Sequence, residues 1–248
     1  MPLPSIPASG NGGFASTQWS VVLAARDGAT SEAQAAMATL CANYWRPLYA
    51  YVRRSGRSIE DAQDLTQSFF LHLLERNGLR HVEPTRGKFR AFLLACLNNF
   101  LTNQWRRENA GKRGGAVRFL SAADLSRAEE HYASGLATPE SPERVYERNW
   151  ALALLQRTME RLTEEFAAAG KSHVFEALKP RLTGDGDGAA YAELSAALGM
   201  SEVGVRVTVH RMRGRFRGLL RQDVAQTLVD AGDARASEEE MRYLLTVL

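Results

Sequence analysis

The sequence predicts an all-α protein: two small helical domains joined by a flexible linker, the C-terminal one containing a helix-turn-helix. Apolar residues recur at three- and four-residue spacing through most of the chain, and no run of four to eight residues alternates as a half-buried strand would. Between the two periodic blocks, a stretch after Glu108 mixes Gly, Ser and Pro with charge and keeps no period, as a linker does. With 248 residues the chain is long enough to bury a core in each domain. The predicted division is a disordered tail over 1–18, a helical domain over 19–108, a linker over 109–140, a helix-turn-helix domain over 141–222 and a helical extension over 223–248.

The first helix is predicted over Ser31 to Arg54, with Leu40, Tyr44, Leu48 and Tyr51 or Val52 along one face and Pro47 as a point of kinking or breakage. Ser58 and Asp61 form a variant of the capping box and open a second helix. This helix stops near Asn77-Gly78, residues suited to a left-handed C-terminal position. Its apolar stripe is Ala62, Leu65, Phe69, Phe70, Leu73 and Leu74; Asp61, Asp64, Gln67, Ser68 and Glu75 lie away from much of it. A third helix follows Pro84 and Gly87, from Lys88 to Arg107, with Phe89, Phe92, Leu93, Cys96, Phe100 and Trp105 as its seam.

In the second block, Ser141-Pro142-Glu143 supplies an N-cap, a proline at the first helical position and an acid in the first turn. The helix it opens runs to Ala169, buries Val145, Tyr146, Trp150, Leu154, Met159, Leu162 and Phe166, and ends at Gly170. Helices are then expected over Ser172–Leu182 and Ala190–Leu198, and from the cap Ser201 onward. A last amphipathic helix, Ser237 to Leu248, is placed to fold back on the domain.

The composition, 45% hydrophobic and 24% charged, is that of a soluble globular protein. Formal net charge is +3 and the sequence pI about 9.0, but the charges are segregated. Arg86, Lys88, Arg90, Arg106, Arg107, Lys112 and Arg113 have only Glu108 among them. Arg206, Arg211, Arg213, Arg215, Arg217 and Arg221 have only Glu202. Acids gather at Glu60, Asp61 and Asp64 and at Glu238 to Glu240. Cys41 and Cys96, the only cysteines, sit in apolar helical patterns as small hydrophobes. Without a CxxC pair, no zinc site is predicted. The N-terminus has no signal-peptide pattern and no stretch approaches the roughly 20 apolar residues that span a bilayer. These features predict a cytoplasmic, reduced protein without membrane attachment.

Within YAELSAALGMSEVGVRVTVHRMRGRFRGLL, Leu194 and Leu198 are placed to interlock with Val205, Val209, Met212 and Phe216, with Gly199 at the bend and Ser201 as the cap. That is helix-turn-helix spacing. Arg206, His210 and Arg213 then project outward, flanked by Arg211 and Arg215. Such a helix fits the DNA major groove, where arginines neutralise phosphates or reach guanine and Thr208 can meet a base or its methyl group. A merely solvated face normally intersperses both signs of charge, so six basic residues beside one acid favour DNA.

On the third helix, Trp105 beside Arg106 and Arg107 has two readings, a packed seam with a wet face or an aromatic that stacks on an unpaired base while the arginines hold the backbone. The acidic face of Asp61, Asp64 and Gln67 is read as a docking surface for a basic partner or as a plain solvated face; without a third ligand it makes a poor metal site. Asp185-Gly186-Asp187-Gly188 lacks the further ligands of a calcium loop and is read as a helix connection. No nucleophile, base and orienter set, P-loop or HExxH is present, so neither an enzyme nor a cofactor is predicted.

Together these stretches resemble a bacterial RNA polymerase sigma factor of the extracytoplasmic-function (ECF) type of the sigma-70 family, over most of Tyr44–Arg107 and Leu162–Leu220. YWRPLYAYVRRSGRSIEDAQDLTQSFFLHLLER looks like the polymerase-docking part of the second sigma region. FRAFLLACLNNFLTNQWRR looks like the part that reads and opens the minus-ten element, and the stretch from Tyr191 to Leu220 is similar to the fourth region, which grips the minus-thirty-five element. The resemblance implies core RNA polymerase, its β′ clamp helices and β subunit, and promoter DNA as partners. Asp61, Asp64, Leu65 and Gln67 would meet the clamp helices. Asn99, Asn103, Trp105, Arg106 and Arg107 would lie at minus-ten DNA, with the Asn77–Lys88 loop as a pocket for a flipped base. Arg206, Thr208, His210, Arg211 and Arg213 would face the upstream element.

The linker is longer than is typical of that family and the extension beyond Leu220 is additional. Three controllers are compatible with that architecture: an anti-sigma protein, phosphorylation by a Ser/Thr kinase, and the chain's own tail. A helix-turn-helix regulator that never touches core polymerase is the alternative; it accounts for Tyr191–Leu220 and leaves the acidic helix and the Trp105 patch unexplained.

Overall fold

A computed structural model describes residues 31–75, 88–108, 129, 140–182, 188–228 and 230–248. Its α-helices are α1 (Ser31–Arg54), α2 (Ile59–Glu75), α3 (Phe89–Glu108), α4 (Pro142–Ala168), α5 (Ser172–Leu178), α6 (Gly188–Leu198), α7 (Glu202–Ala225) and α8 (Ala234–Val247). No strand occurs among the described residues. The expected stop at Asn77-Gly78, the TGDGDG loop before Gly188 and the linker apart from Glu129 and Glu140 lie outside them.

Local chemistry sets most helix ends. The Ser58 hydroxyl accepts the Asp61 amide at 3.0 Å, the Ser141 hydroxyl accepts the Arg144 amide at 3.3 Å, and the Ser201 hydroxyl accepts the Gly204 amide at 3.1 Å; each satisfies one of the free donors of a first turn. Pro47 neither splits nor ends α1, which is one helix from Ser31 to Arg54. The bond it removes is outweighed by its neighbours: Tyr44, Trp45, Leu48 and Tyr49 are all buried. The helix after Lys171 is shorter than expected. It tightens into a 3-10 turn over Lys179–Arg181, because Pro180 has no amide to continue the α-helical ladder. The last helix starts earlier than expected, since the Asp233 carboxylate accepts the Ala236 amide at 2.9 Å.

Two apolar cores form, and both draw on α4. The first joins α1, α2 and α3 to the N-terminal half of α4, the end of α7 and α8: Tyr44, Leu48, Phe69, Phe89, Leu97, Tyr146, Trp150, Leu220, Val224, Leu244 and Val247 all belong to it. Aromatic pairs knit it, Tyr44 with Phe89 edge-on at 5.4 Å and Tyr51 of α1 with Tyr146 of α4 at 6.5 Å. The second comprises Leu162, Phe175, Leu178, Tyr191, Val205, Val209, Met212 and Leu219. With 27 residues, α4 is about 40 Å long and reaches both.

The domain expected over 19–108 and the one expected from 141 onward therefore share a core. The apolar stripe of α4 that the sequence assigns to one domain interior is divided: Tyr146, Trp150 and Leu154 face α1–α3, while Leu162 faces α5–α7. Periodicity identifies which face is buried, not what covers it.

Where α4 crosses α7, the Asp223 carboxylate is buried at 1% exposure. It accepts from the Thr158 hydroxyl at 2.7 Å and from Arg161, and Arg157 stands 3.7 Å away. Asp223→Ala should lower the unfolding free energy by about 2–3 kcal/mol, the worth of hydrogen bonds to a buried charge. Urea titration checks this; the midpoint falls while the slope stays constant if only this contact is lost.

Candidate functional site

Three exposed surfaces carry the residues that the sequence singles out. On α2, Asp61 and Asp64 are exposed and Leu65 is half-buried, packed against the first core. Gln67 is not part of that surface: it is 5% exposed. Residues three apart step back by about 60° around a helix, so Gln67 is turned by about 120° from Asp61, toward the side that buries Phe70. The accessible acidic patch is Glu60, Asp61 and Asp64 at the start of α2.

On α3, the apolar N-terminal half is buried through Phe89, Leu93, Leu97 and Phe100, and Phe92 is half-buried. Past Phe100 only Leu101 packs against the first core among the described residues of the helix. Asn99, Asn103 and Arg106, at spacings of four and three, are exposed in one stripe. Trp105 is 57% exposed, which resolves its two readings against the packed seam. The side chain of Arg107 lies outside the described set. Asn98, next to this stripe, accepts from the Tyr51 hydroxyl at 2.7 Å and so is anchored to α1.

On α7, the turn that precedes it is built from Gly199, Met200 and Ser201. Gly199 sits at φ +61°, the left-handed region glycine enters without strain. The Met200 amide donates back to the Ser195 carbonyl at 3.1 Å and the Gly199 amide to the Ala196 carbonyl at 3.4 Å. This closes α6 with the two bonds of a Schellman motif. Val205, Val209 and Met212 are buried and hold α7 against α6 and α4, leaving the opposite face open.

The arginines of α7 then sort by partner. Arg206 is exposed, with its guanidinium 4.2 Å from the Tyr191 ring centroid, an arrangement that fixes it without neutralising it. His210 and Arg211 are exposed. Arg213 is not presented outward as expected: its Nε and Nη2 donate to the Arg181 carbonyl at 3.0 and 2.8 Å, tying α7 to the 3-10 turn. Arg215 pairs bidentately with Glu165 of α4 at 2.7 and 2.5 Å, and that pairing holds its charge on more firmly than usual. Thr208 is half-buried and its hydroxyl donates to the Gly204 carbonyl at 2.8 Å, leaving lone pairs and a methyl group to offer.

Sequence reading missed Val203 and Val207, which are 71% and 42% exposed on the same open face as Arg206 and His210. Their signal was present, since positions 203, 206, 207 and 210 share one side of a helix. A face of cations interleaved with bare β-branched methyls suits a DNA groove, phosphates at the rim and thymine methyls within.

Among the described residues no group of three or more His, Cys, Asp or Glu side chains gathers around a metal-sized space, and no helix is long and apolar enough to cross a membrane. Burial pushes the Cys41 and Cys96 thiols up to about 11, the reverse of an activated nucleophile.

Residues 40–111 match the family model described as Sigma-70 region 2. This segment contains α2 and α3 whole. Among curated proteins, the ECF RNA polymerase sigma factor SigE of Mycolicibacterium smegmatis is 26% identical over 184 residues, which cover 74% of this chain. The match spans 61% of that relative's length. No solved structure matches the chain.

At pH 8, alkylation of Cys41 and Cys96 by iodoacetamide should be roughly 100-fold slower in the folded chain than in urea, because the thiolate fraction falls tenfold for each unit the pKa rises. Mass spectrometry of timed aliquots measures it. Equal rates in both states would contradict the burial of the two thiols.

Proposed function

We propose, from the match to Sigma-70 region 2 and the likeness to an ECF sigma factor, that the chain is a sigma factor of the ECF group of the sigma-70 family, which binds core RNA polymerase and directs initiation at the promoters it selects. The observation that carries this reading is that the segment matched to region 2 bears both an exposed carboxylate patch and, on the C-terminal half of α3, an exposed Asn and Arg stripe with the bare Trp105 ring beside it. Sigma factors are not an enzyme class, and the work is division of binding.

In this reading Asp61, Asp64 and Leu65 meet the β′ clamp helices. Solvated carboxylates at a helix start add little affinity as lone ion pairs but steer a basic partner and reject acidic ones. Asn99, Asn103, Trp105, Arg106 and Arg107 take the minus-ten element. An aromatic ring more than half bare offers a platform for a base that has left the stack. Unstacking costs a few kcal/mol, and each stacked base returns about 1–3 kcal/mol. The residues from Val203 to Arg211 form the upstream contact, with Thr208 beside them. Arg213 supports that helix from behind. The protein works in the cytoplasm with the transcription machinery, and polymerase sets the spacing of its two weak DNA contacts, turning them into one strong contact through effective concentration.

Run-off transcription from genomic fragments, with core polymerase alone and with this protein added, tests the proposal. Initiation should depend on the protein and fall at least about tenfold with Asp64→Arg, since setting a like charge against a basic partner costs several kcal/mol. DNA binding by the protein alone as a dimer on a palindrome, with no change in initiation, would instead identify a regulator independent of polymerase.

Arg206→Ala combined with Arg211→Ala should weaken upstream DNA binding on every sequence and reduce the slope of log affinity against log salt by about 2, one counterion per lost phosphate contact. Arg215→Ala, whose charge is already taken by Glu165, should leave that slope unchanged. Fluorescence anisotropy over a salt series reads both.

A further inference from the structure

Of the acids Glu238–Glu240, one is spent on the domain at the other end of the chain. Glu240 of α8 is 1% exposed and its carboxylate pairs with Arg90 of α3 and with Lys88 just before it. Arg90 is itself buried, at 6% exposure, with its guanidinium 4.3 Å from the Trp150 ring of α4 and 4.8 Å from the Tyr243 ring of α8. Lys88 stands 4.9 Å from the same Tyr243 ring. The Arg144 guanidinium donates to the Thr246 carbonyl at 2.9 Å, and Leu244 and Val247 complete the first core.

A buried ion pair of this kind adds little net stability, because desolvating both charges offsets most of their attraction; its attested use is to select one arrangement over others. Here it selects α8 lying across the root of α3. Such an arrangement conflicts with reading two promoter elements at once. A compact chain of this length has a radius of gyration of about 18 Å, whereas elements centred at minus-ten and minus-thirty-five lie about two and a half turns of DNA apart, roughly 85 Å. The shared core must part before α3 and α7 can sit on both.

We propose that the Lys88–Arg90 face of α3 is a docking site for α8, and that its occupancy holds the chain closed and competes with polymerase. The C-terminal helix is then an inhibitor carried in the same chain, and the inference rests on the sigma reading above. Glu238 and Glu239 are exposed and Glu239 pairs with Arg235 of its own helix, so of the three acids only Glu240 joins the contact, beside the Tyr243 ring and the buried Leu244 and Val247. What removes α8 must offer a better use for either surface: a basic partner for the Glu240 and Tyr243 face, or polymerase for the region 2 side.

Full-length chain, its Glu240→Arg variant and its Glu240→Gln, Tyr243→Ala variant test this, the second being the milder change should the charge reversal fail to fold by circular dichroism. Small-angle X-ray scattering reads closure without polymerase, and anisotropy of labelled chain against core polymerase reads competition. The expected result is a larger radius of gyration and affinity for polymerase tighter by at least about fivefold, the lower range of typical coupling between sites. Folded variants that remain as compact and bind polymerase as the parent does would overturn the proposal. Expansion without any gain in affinity would also overturn the inhibitory role. If neither parent nor opened variants bind polymerase at all, the sigma reading itself fails and takes this inference with it.

Discussion

The structure depends on one rigid helix having to satisfy two cores. A helix of 27 residues cannot bend around a single small bundle, so α4 is apolar on different faces at its two ends and commits each to different neighbours. Ser141 and Pro142 fix where it begins, and with it the register of every contact below. One turn of slippage would move Trp150 away from Arg90 and Thr158 away from Asp223. Both α3 and α7 hang on this frame: α3 is held at its buried half by Tyr146 and the aromatics of α1, and α7 is held by Leu162 and the ties from Glu165 and Arg181.

What was legible in the sequence is what local chemistry decides. The serine caps at 58, 141 and 201 and the glycine at 199 act within a few residues of themselves, and each forms the bond its spacing predicts. Apolar stripes were legible too, because burial of Tyr44, Phe69, Val205 or Met212 follows from helical period alone. The exposure of Trp105 does not follow from its sequence context, since a tryptophan beside arginines can point either way.

What was not legible depends on partners far away in the chain. The α7 arginines look alike in one dimension. Glu165 lies 50 positions from Arg215 and the Arg181 carbonyl 32 from Arg213, and these two contacts separate structural arginines from accessible ones. Gln67 shows the complementary limit: it sits three residues from Asp64 and shares its polarity, yet the drift of the helix turns it inward. The Glu240 contact crosses 150 positions, and no pattern within α8 specifies that its acid would meet α3 rather than solvent.

The first core recruits helices from both sides of 109–139. Attachment of α4 and α8 to α1–α3 is made by side chains, with Tyr51, Tyr146 and Leu244 among them, rather than by the peptide that connects them. Joined in one chain, the two halves meet at an effective concentration set by their connection and not at that of free solution. Severed there, the two fragments would be a heterodimer whose affinity is the closing strength of the intact chain, measurable as an ordinary dissociation constant.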